Sequence, residues 1–325
     1  MKIKPFIVFV LICTAFSACS HTPETRLSVR EHSGMPDGGR AAARACVLDG
    51  QAYVFAGRDS AGNYLNDLWA YEPASDTWTK VSQCPGRKRV NAVIAAHNGA
   101  LYMGLGYAAK RAYNDSAYLR AWWRYTPATK QWTPLAQFPS KFTIAPTPAV
   151  DGDDIYLFYG CGHMMSKEVW RYDTKRDEWI SVPAPQDRHR QAFGCTGATI
   201  SGTLYFGTGF NSNNLTDWYS VDLAGNSWTQ RAPLPGKGRE FAACTATGEH
   251  VYLFGGQYFA GDLTGGEIFE TYLRYSPATD QWTWCGTMPC GRAENQIAFT
   301  LNGKAWFGLG EDEHEKMINK LYCIE

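Results

Sequence analysis

The chain has 325 residues, 45% of them hydrophobic and 14% aromatic, with 31 Lys plus Arg set against 31 Asp plus Glu. That is ample for a sizeable core, and the balanced charge removes any global attraction to nucleic acid or to an anionic membrane, so any anion preference must be local. The 32 glycines and 16 prolines beside so many aromatics favour numerous short strands with tight turns over long helices.

Residues 1–18 read as an export segment: Lys2 and Lys4 form a basic start, Phe6 to Ile12 an apolar run, and Ser17 and Ala18 stand before Cys19. The run is too short to cross a membrane as a helix. It resembles a bacterial lipoprotein signal, which implies a lipidated Cys19, a linker over 19–25 and an N-terminal membrane anchor. Ser20 after that Cys implies the outer membrane by the same resemblance, with the periplasmic and outer faces both open.

From there a repeat takes over. Tyr53, Tyr102, Tyr156, Tyr205, Tyr252 and Trp306 each precede a glycine by four residues: Gly57, Gly106, Gly160, Gly209, Gly256 and Gly310. An apolar run ending at a fixed glycine suits a buried strand that turns where a Cβ would obstruct the backbone. A run of small residues comes before each such strand, joined to it by an Asp-Gly, Asn-Gly or Ser-Gly turn in most repeats, which is a hairpin signal. A variable loop follows, then an aromatic third strand, a turn and a tryptophan strand marked by Trp78, Trp132, Trp179, Trp228 and Trp282. Four strands per repeat of about 50 residues result. Cys46, Cys195 and Cys244 fall in the small apolar runs, where a packed thiol fits. Cys285 and Cys290 are the one local candidate pair for a disulfide. No Cys or His spacing predicts a metal site.

These glycines, the third-strand aromatics and the fourth-strand tryptophans resemble the Kelch family of β-propellers, in which each repeat makes one four-stranded blade. The resemblance covers about 26–325 and implies an all-β, six-bladed propeller with no second domain. Repeat six ends at "KLYCIE" without a tryptophan strand, so residues around Arg26 to Glu31 are expected to complete that blade and close the ring.

Function is expected on the loops at one end of the central channel. Arg40, Arg89, Arg190, Arg239 and Arg292 stand at nearly the same place in five repeats, an expected ring of guanidiniums that would grip carboxylates; alternatively they tie blades together through acidic partners. His189 beside them and Tyr107, Phe210 and Tyr258 after the glycines are expected ligand contacts, offering stacking faces. Glu240, Glu294 and Glu311, with His163 and His189, are the acid/base candidates, and the sequence leaves open whether burial or a neighbouring arginine governs their titration.

Two classes stay open. The first, and the expected one, is a membrane-anchored binding module for an acidic ligand, most simply a carbohydrate such as sialic acid, at the loop face of the channel, with a scaffold for a protein or peptide partner as a further alternative. The other is an enzyme, because size, export and repeats also resemble the N-acetylneuraminate epimerases, sialic acid mutarotases that need no cofactor. In that family a Glu and an Arg near the channel are associated with opening and closing the sugar ring. The resemblance points to Glu311, with Lys316 standing where the family would offer Arg. Glycine runs such as "GLGYAA" open no helix, and with no Walker loop or nucleophile elbow, nucleotide and nucleic-acid functions lack support.

Overall fold

The computed structural model describes residues 26–109, 115–183, 191–259 and 266–325. Among them, six antiparallel four-stranded sheets form the blades of a propeller. The first blade comprises Arg44–Leu48, Gln51–Phe55, Asp67–Glu72 and Thr77–Gln83; the second Val93–His97, Ala100–Gly104, Trp122–Thr126 and Gln131–Leu135. The third comprises Thr147–Asp151, Asp154–Phe158, Val169–Asp173 and Glu178–Val182; the fourth Thr196–Ile200, Thr203–Gly207, Trp218–Asp222 and Ser227–Gln230. The fifth comprises Ala243–Ala246, Val251–Phe254, Thr271–Ser276 and Gln281–Thr287; the sixth Ile297–Leu301, Lys304–Gly308, Leu321–Ile324 and, from the other end of the chain, Val29–His32. Innermost strands touch those of the neighbouring blades, and the sixth touches the first.

The closing strand pairs Val29 with Ile324 and His32 with Leu321, so the expected closure holds. It removes the unpaired edge that Leu321–Ile324 would otherwise expose. Two contacts pin it beyond the ladder: the Met35 amide donates to Asn319 Oδ1 at 2.7 Å, and the Ser33 amide donates to Asp76 Oδ1 at 3.0 Å.

The repeated tryptophans have a definite task. Trp78, Trp179 and Trp282 donate their indole N–H to the carbonyls of Ser33, Ala136 and Ala232, each just past the outermost strand of the preceding blade. The amides of those same three residues donate to Asp76, Asp177 and Asp280, which also accept the hydroxyls of Tyr71, Tyr172 and Tyr275. Each Asp sits in the left-handed region two residues before its tryptophan, at φ 53°, 55° and 52°. A Trp–Asp–Tyr latch therefore ties blades one, three and five to their predecessors, satisfying polar atoms that burial would otherwise leave costly. In blades two and four Lys130 and Asn226 replace the Asp, and Trp132 donates instead to Ser82 Oγ.

The fixed glycines act at a second seam. Gly57, Gly106, Gly209, Gly256 and Gly310 donate their amides to Arg89, Thr143, Arg239, Ala293 and Arg40, all in the next blade around the ring. At Gly256, φ is 89° and a Cβ would lie 2.7 Å from the Glu240 carbonyl oxygen, so backbone blocks any side chain. The preceding position has φ between 51° and 63° in all six repeats and holds Ala56, Leu105, Tyr159, Thr208, Gly255 and Leu309. Left-handed backbone near φ 57° admits an L-residue at modest cost, whereas φ near 90° does not. All eight cysteines among the described residues are free thiols, Cys285 and Cys290 included.

Candidate functional site

The chain enters each blade through a junction residue that pairs with the residue just after the fixed glycine. These bridges are Ala41 with Arg58, Val90 with Tyr107, Ile144 with Cys161, Phe193 with Phe210, Glu240 with Gln257, and Glu294 with Glu311. Twelve positions thus surround one end of the channel, and their composition is lopsided. Blades two to four supply aliphatic, aromatic and thiol side chains; blades five, six and one bring together three glutamates, Gln257 and Arg58.

Immediately inward, backbone bonds link the blades in a girdle: Ala42 donates to Asn295, Asn295 to Phe241, Phe241 to Gly194, Ala145 to Asn91 and Asn91 to Ala42. Ala145, Phe241 and Asn295 of this girdle line a channel cavity of about 480 Å³ that extends down the innermost strands to Thr199 and Thr300. Glu240 and Glu294 are the chain neighbours of Phe241 and Asn295, so the cavity begins directly beneath the acidic arc.

Arg58 forms an ion pair with Glu311, which is only 4% exposed, and the Asn295 side chain donates through Nδ2 to Glu311 Oε1 at 3.2 Å. Glu240, 3% exposed, accepts from Gln257 Nε2 at 3.3 Å through Oε1 and has the Asn214 side chain near enough to oppose the rise in its titration, while its Oε2 and that of Glu294 make no hydrogen bond within 3.5 Å among the described residues. Burial, and then the Glu294 charge, push the Glu240 carboxyl up to about 8; burial, and then the Glu311 charge, raise Glu294 to about 7, with Arg58 opposing. The influence of Glu240 crosses the mouth, since burial and then its charge raise the Cys161 thiol of blade three to about 11. Two carboxyls that exchange protons near neutrality, beside a third paired with Arg58, form a site suited to moving protons. Among the described residues, no group of three or more His, Cys, Asp or Glu could hold a metal ion.

The expected arginine ring is corrected. Arg40, Arg89 and Arg239 are 1%, 0% and 3% exposed and present no face to a ligand from solvent. Each donates Nη1 to the carbonyl just before the fixed glycine of its own blade, on Ala56, Leu105 and Gly255 at 3.0–3.2 Å. Arg40 also pairs with Asp67 at 2.9 Å, and the Arg239 guanidinium lies 3.9 Å from the Phe269 ring centroid. Their role is structural but differs from the expected alternative: each guanidinium braces the turn of its own blade rather than linking blades, and of the three only Arg40 does so with acidic partners among the described residues, Asp37 and Asp67. Arg292 is half-exposed and does not share that position, which Ala293 occupies in blade six and Ala192 in blade four; it donates to the Ile268 carbonyl and pairs with Glu313 at 3.4 Å. Arg190, His189 and Cys19 lie outside the described residues.

Of the expected aromatic contacts, Tyr107 packs on Tyr118, which packs on His163, at centroid distances of 5.2 and 4.9 Å. Phe210 joins Phe193 and the exposed Phe259 at 5.7 and 5.6 Å, and Tyr258 carries the Lys237 ammonium 5.1 Å from its ring centroid. His163 and Asp115 form an exposed pair on the outer loops, apart from the carboxylates. Lys316 is exposed, its amide bonded to Asp312, so it is not the basic partner of Glu311. That partner is Arg58, which sequence separation concealed. The available signal was positional: Arg58 and Glu311 both follow the fixed glycine, in blades that ring closure makes adjacent.

Fold and site define a six-bladed propeller whose channel mouth carries an acid/base arc facing an apolar one. The family description KLHDC2/KLHL20/DRC7 Kelch-repeats domain matches residues 17–206 and 147–325, and the chain belongs to this Kelch-repeat family. It is similar to Kelch-like protein 25 of Xenopus tropicalis, 26% identical over 254 residues that make up 75% of this chain and 40% of that protein. It is also similar to the N-acetylneuraminate epimerase of Pasteurella multocida (strain Pm70), 26% identical over 281 residues, 82% of this chain and 63% of the relative. The chain thus spans less than two thirds of the length of either curated relative. Among solved structures, one described as "Structure of YjhT" superposes with a TM-score of 0.74 at 15% identity, covering 89% of this chain and 96% of that one, a likeness of fold.

Proposed function

We propose that this protein is a cofactor-free mutarotase acting on a sugar acid at the channel mouth. The observation that carries the reading is the pair Glu240 and Glu294, each with an unpartnered buried oxygen and a carboxyl raised to about 8 and about 7. Ring opening of a hemiacetal needs a proton delivered to the ring oxygen and another removed from the anomeric hydroxyl. Glu240, the more strongly protonated, donates the first; Glu294, as carboxylate, accepts the second. The ring C–O bond breaks and a carbonyl forms; after rotation about the adjacent C–C bond the hydroxyl attacks the other face of that carbonyl, Glu294 returning its proton to the carbonyl oxygen while Glu240 takes its own back from the attacking hydroxyl. Similarity to N-acetylneuraminate epimerases supports the substrate class, and the apolar arc of Val90, Tyr107, Ile144, Phe193 and Phe210 suits the non-polar face of a sugar.

The test is anomer exchange of N-acetylneuraminate followed by NMR with the domain from Thr25 onward. Exchange well above the spontaneous rate, falling about 100-fold or more in Glu240→Gln or Glu294→Gln, supports the reading. Exchange at the spontaneous rate with saturating protein sinks it.

A scaffold role for a protein or peptide partner has one observation in its favour: Met164 and Phe259, 64% and 45% exposed, are the large hydrophobic residues left in solvent among those described, both on the post-glycine loops. Lipid anchoring to the outer membrane through Cys19 remains part of the proposal; palmitate labelling of the full chain that survives Cys19→Ala would exclude it.

A further inference from the structure

We infer that Arg44 anchors the substrate carboxylate inside the channel, so that the ligand enters acid group first; this rests on the mutarotase reading and narrows its substrate to 2-keto sugar acids and their relatives with a carboxylate on or beside the anomeric carbon. With Arg40, Arg89 and Arg239 sealed into the blades and Arg58 engaged by Glu311, Arg44 is, among the described residues, the arginine that lines the channel cavity. Its Nη2 donates to Asn91 Oδ1 at 3.0 Å and its Nη1 to the Ala43 carbonyl at 2.9 Å. Both acceptors are neutral, and among the described residues no carboxylate pairs with it. Burial lowers its pKa to about 10 with no opposing anion, which still leaves it charged at neutral pH. A guanidinium held by neutral acceptors in a partly desolvated channel retains free donor capacity and favours an anion, and its planar fork suits a carboxylate.

Position completes the argument. Ala42 and Asn295 share a level of the girdle, their backbones joined at 3.1 Å. Arg44 follows that level by two residues of its blade and Glu294 precedes it by one, and the Arg44 guanidinium reaches back to the girdle through Asn91, so guanidinium and acidic arc belong to neighbouring levels of one channel. A carboxylate on or beside the anomeric carbon suits that arrangement, whereas an acid group at the far end of a long sugar chain does not. A carboxylate at Arg44 is also kept away from the acidic arc, where Glu311 would repel it.

The experiment is calorimetric titration of N-acetylneuraminate, and separately of its methyl ester, into the wild-type domain, Arg44→Gln and Arg44→Lys, with NMR anomer exchange run on the same samples. The expected result is that wild type binds the acid at least 10-fold more tightly than the ester. Arg44→Gln should weaken the acid 10- to 100-fold while leaving the ester unchanged, and Arg44→Lys should restore part of the difference. Equal binding of acid and ester by wild type overturns the anchor even if no variant folds, as does acid binding that is indifferent to Arg44→Gln. Exchange intact with that indifference removes the anchor alone. Arg44-dependent binding without catalysed exchange removes the mutarotase reading and leaves the anchor standing, and no binding of the acid at millimolar concentration removes both.

Discussion

Replacing Glu240 with Gln removes a buried titration while keeping the side-chain shape, and its consequence for stability can be worked out with its sign. The Glu240 carboxyl titrates at about 8 in the folded protein, against an ordinary value of 4.5. Between those values the folded state holds a proton that the unfolded chain has released, so stability declines as pH rises from about 4.5 through about 8. At about 1.4 kcal/mol per pH unit the span has a ceiling of about 5 kcal/mol, and water reaching a channel mouth reduces it to about 2 kcal/mol. For a domain of about 300 residues the unfolding entropy near the melting temperature converts this to about 3 °C. Glu240→Gln should therefore match the wild type at pH 5 and melt about 3 °C higher at pH 9, read by calorimetry across that range. Melting curves that stay parallel from pH 5 to pH 9 would refute the claim that burial dominates this carboxyl.

Arg239→Ala should lower stability by about 3 kcal/mol in a urea titration, because it strips a donor from the Gly255 carbonyl and a cation from the Phe269 ring; a loss below about 0.5 kcal/mol would reject its bracing of the blade. Gly256→Ala should cost about 2–4 kcal/mol by the same measurement, since a Cβ would lie 2.7 Å from the Glu240 carbonyl oxygen, whereas Ala56→Gly, at φ 60° one residue before the fixed glycine of its blade, should change stability by no more than about 1 kcal/mol. A chain beginning at Ser33 lacks the strand that completes blade six and should melt at least about 10 °C lower or aggregate through the exposed edge of Leu321–Ile324; an unchanged transition would show that ring closure contributes little.

Much of the architecture was readable because its constraints are local and repeated. The fixed glycines answer to backbone geometry and Trp78, Trp132, Trp179 and Trp282 to a bond with the preceding blade, so both recur in register. The missing sixth tryptophan and the spare N-terminal strand are complementary, which exposed the closure. The aspartates of the Trp–Asp–Tyr latch were visible two residues before Trp78, Trp179 and Trp282 and five after their tyrosines, yet the amides they accept from in the preceding blade lie 41 to 48 positions away and nothing local names them. The arginines misled for a related reason. Arg40, Arg89 and Arg239 do share a position, but it faces the interior, and Ala192 and Ala293 hold it in blades four and six, so that Arg292 falls beside it. A sequence pattern records recurrence and not direction. Glu240, Glu294 and Glu311 could be chosen as acid/base candidates by residue type, but the balance between burial and arginine depended on knowing that most arginines are engaged elsewhere. Arg58 and Arg44 were the least legible. The first meets its carboxylate across 253 positions of chain, and the second has no charged partner to mark it.

The most direct test of the account is the pH dependence of kcat/KM for N-acetylneuraminate anomer exchange. With Glu240 as the acid and Glu294 as the base, the rate should rise through about pH 7, fall above about pH 8, and lose one limb in each Gln variant. A profile that is flat across this range, or that keeps both limbs when either glutamate is replaced, would contradict proton transfer by these two residues.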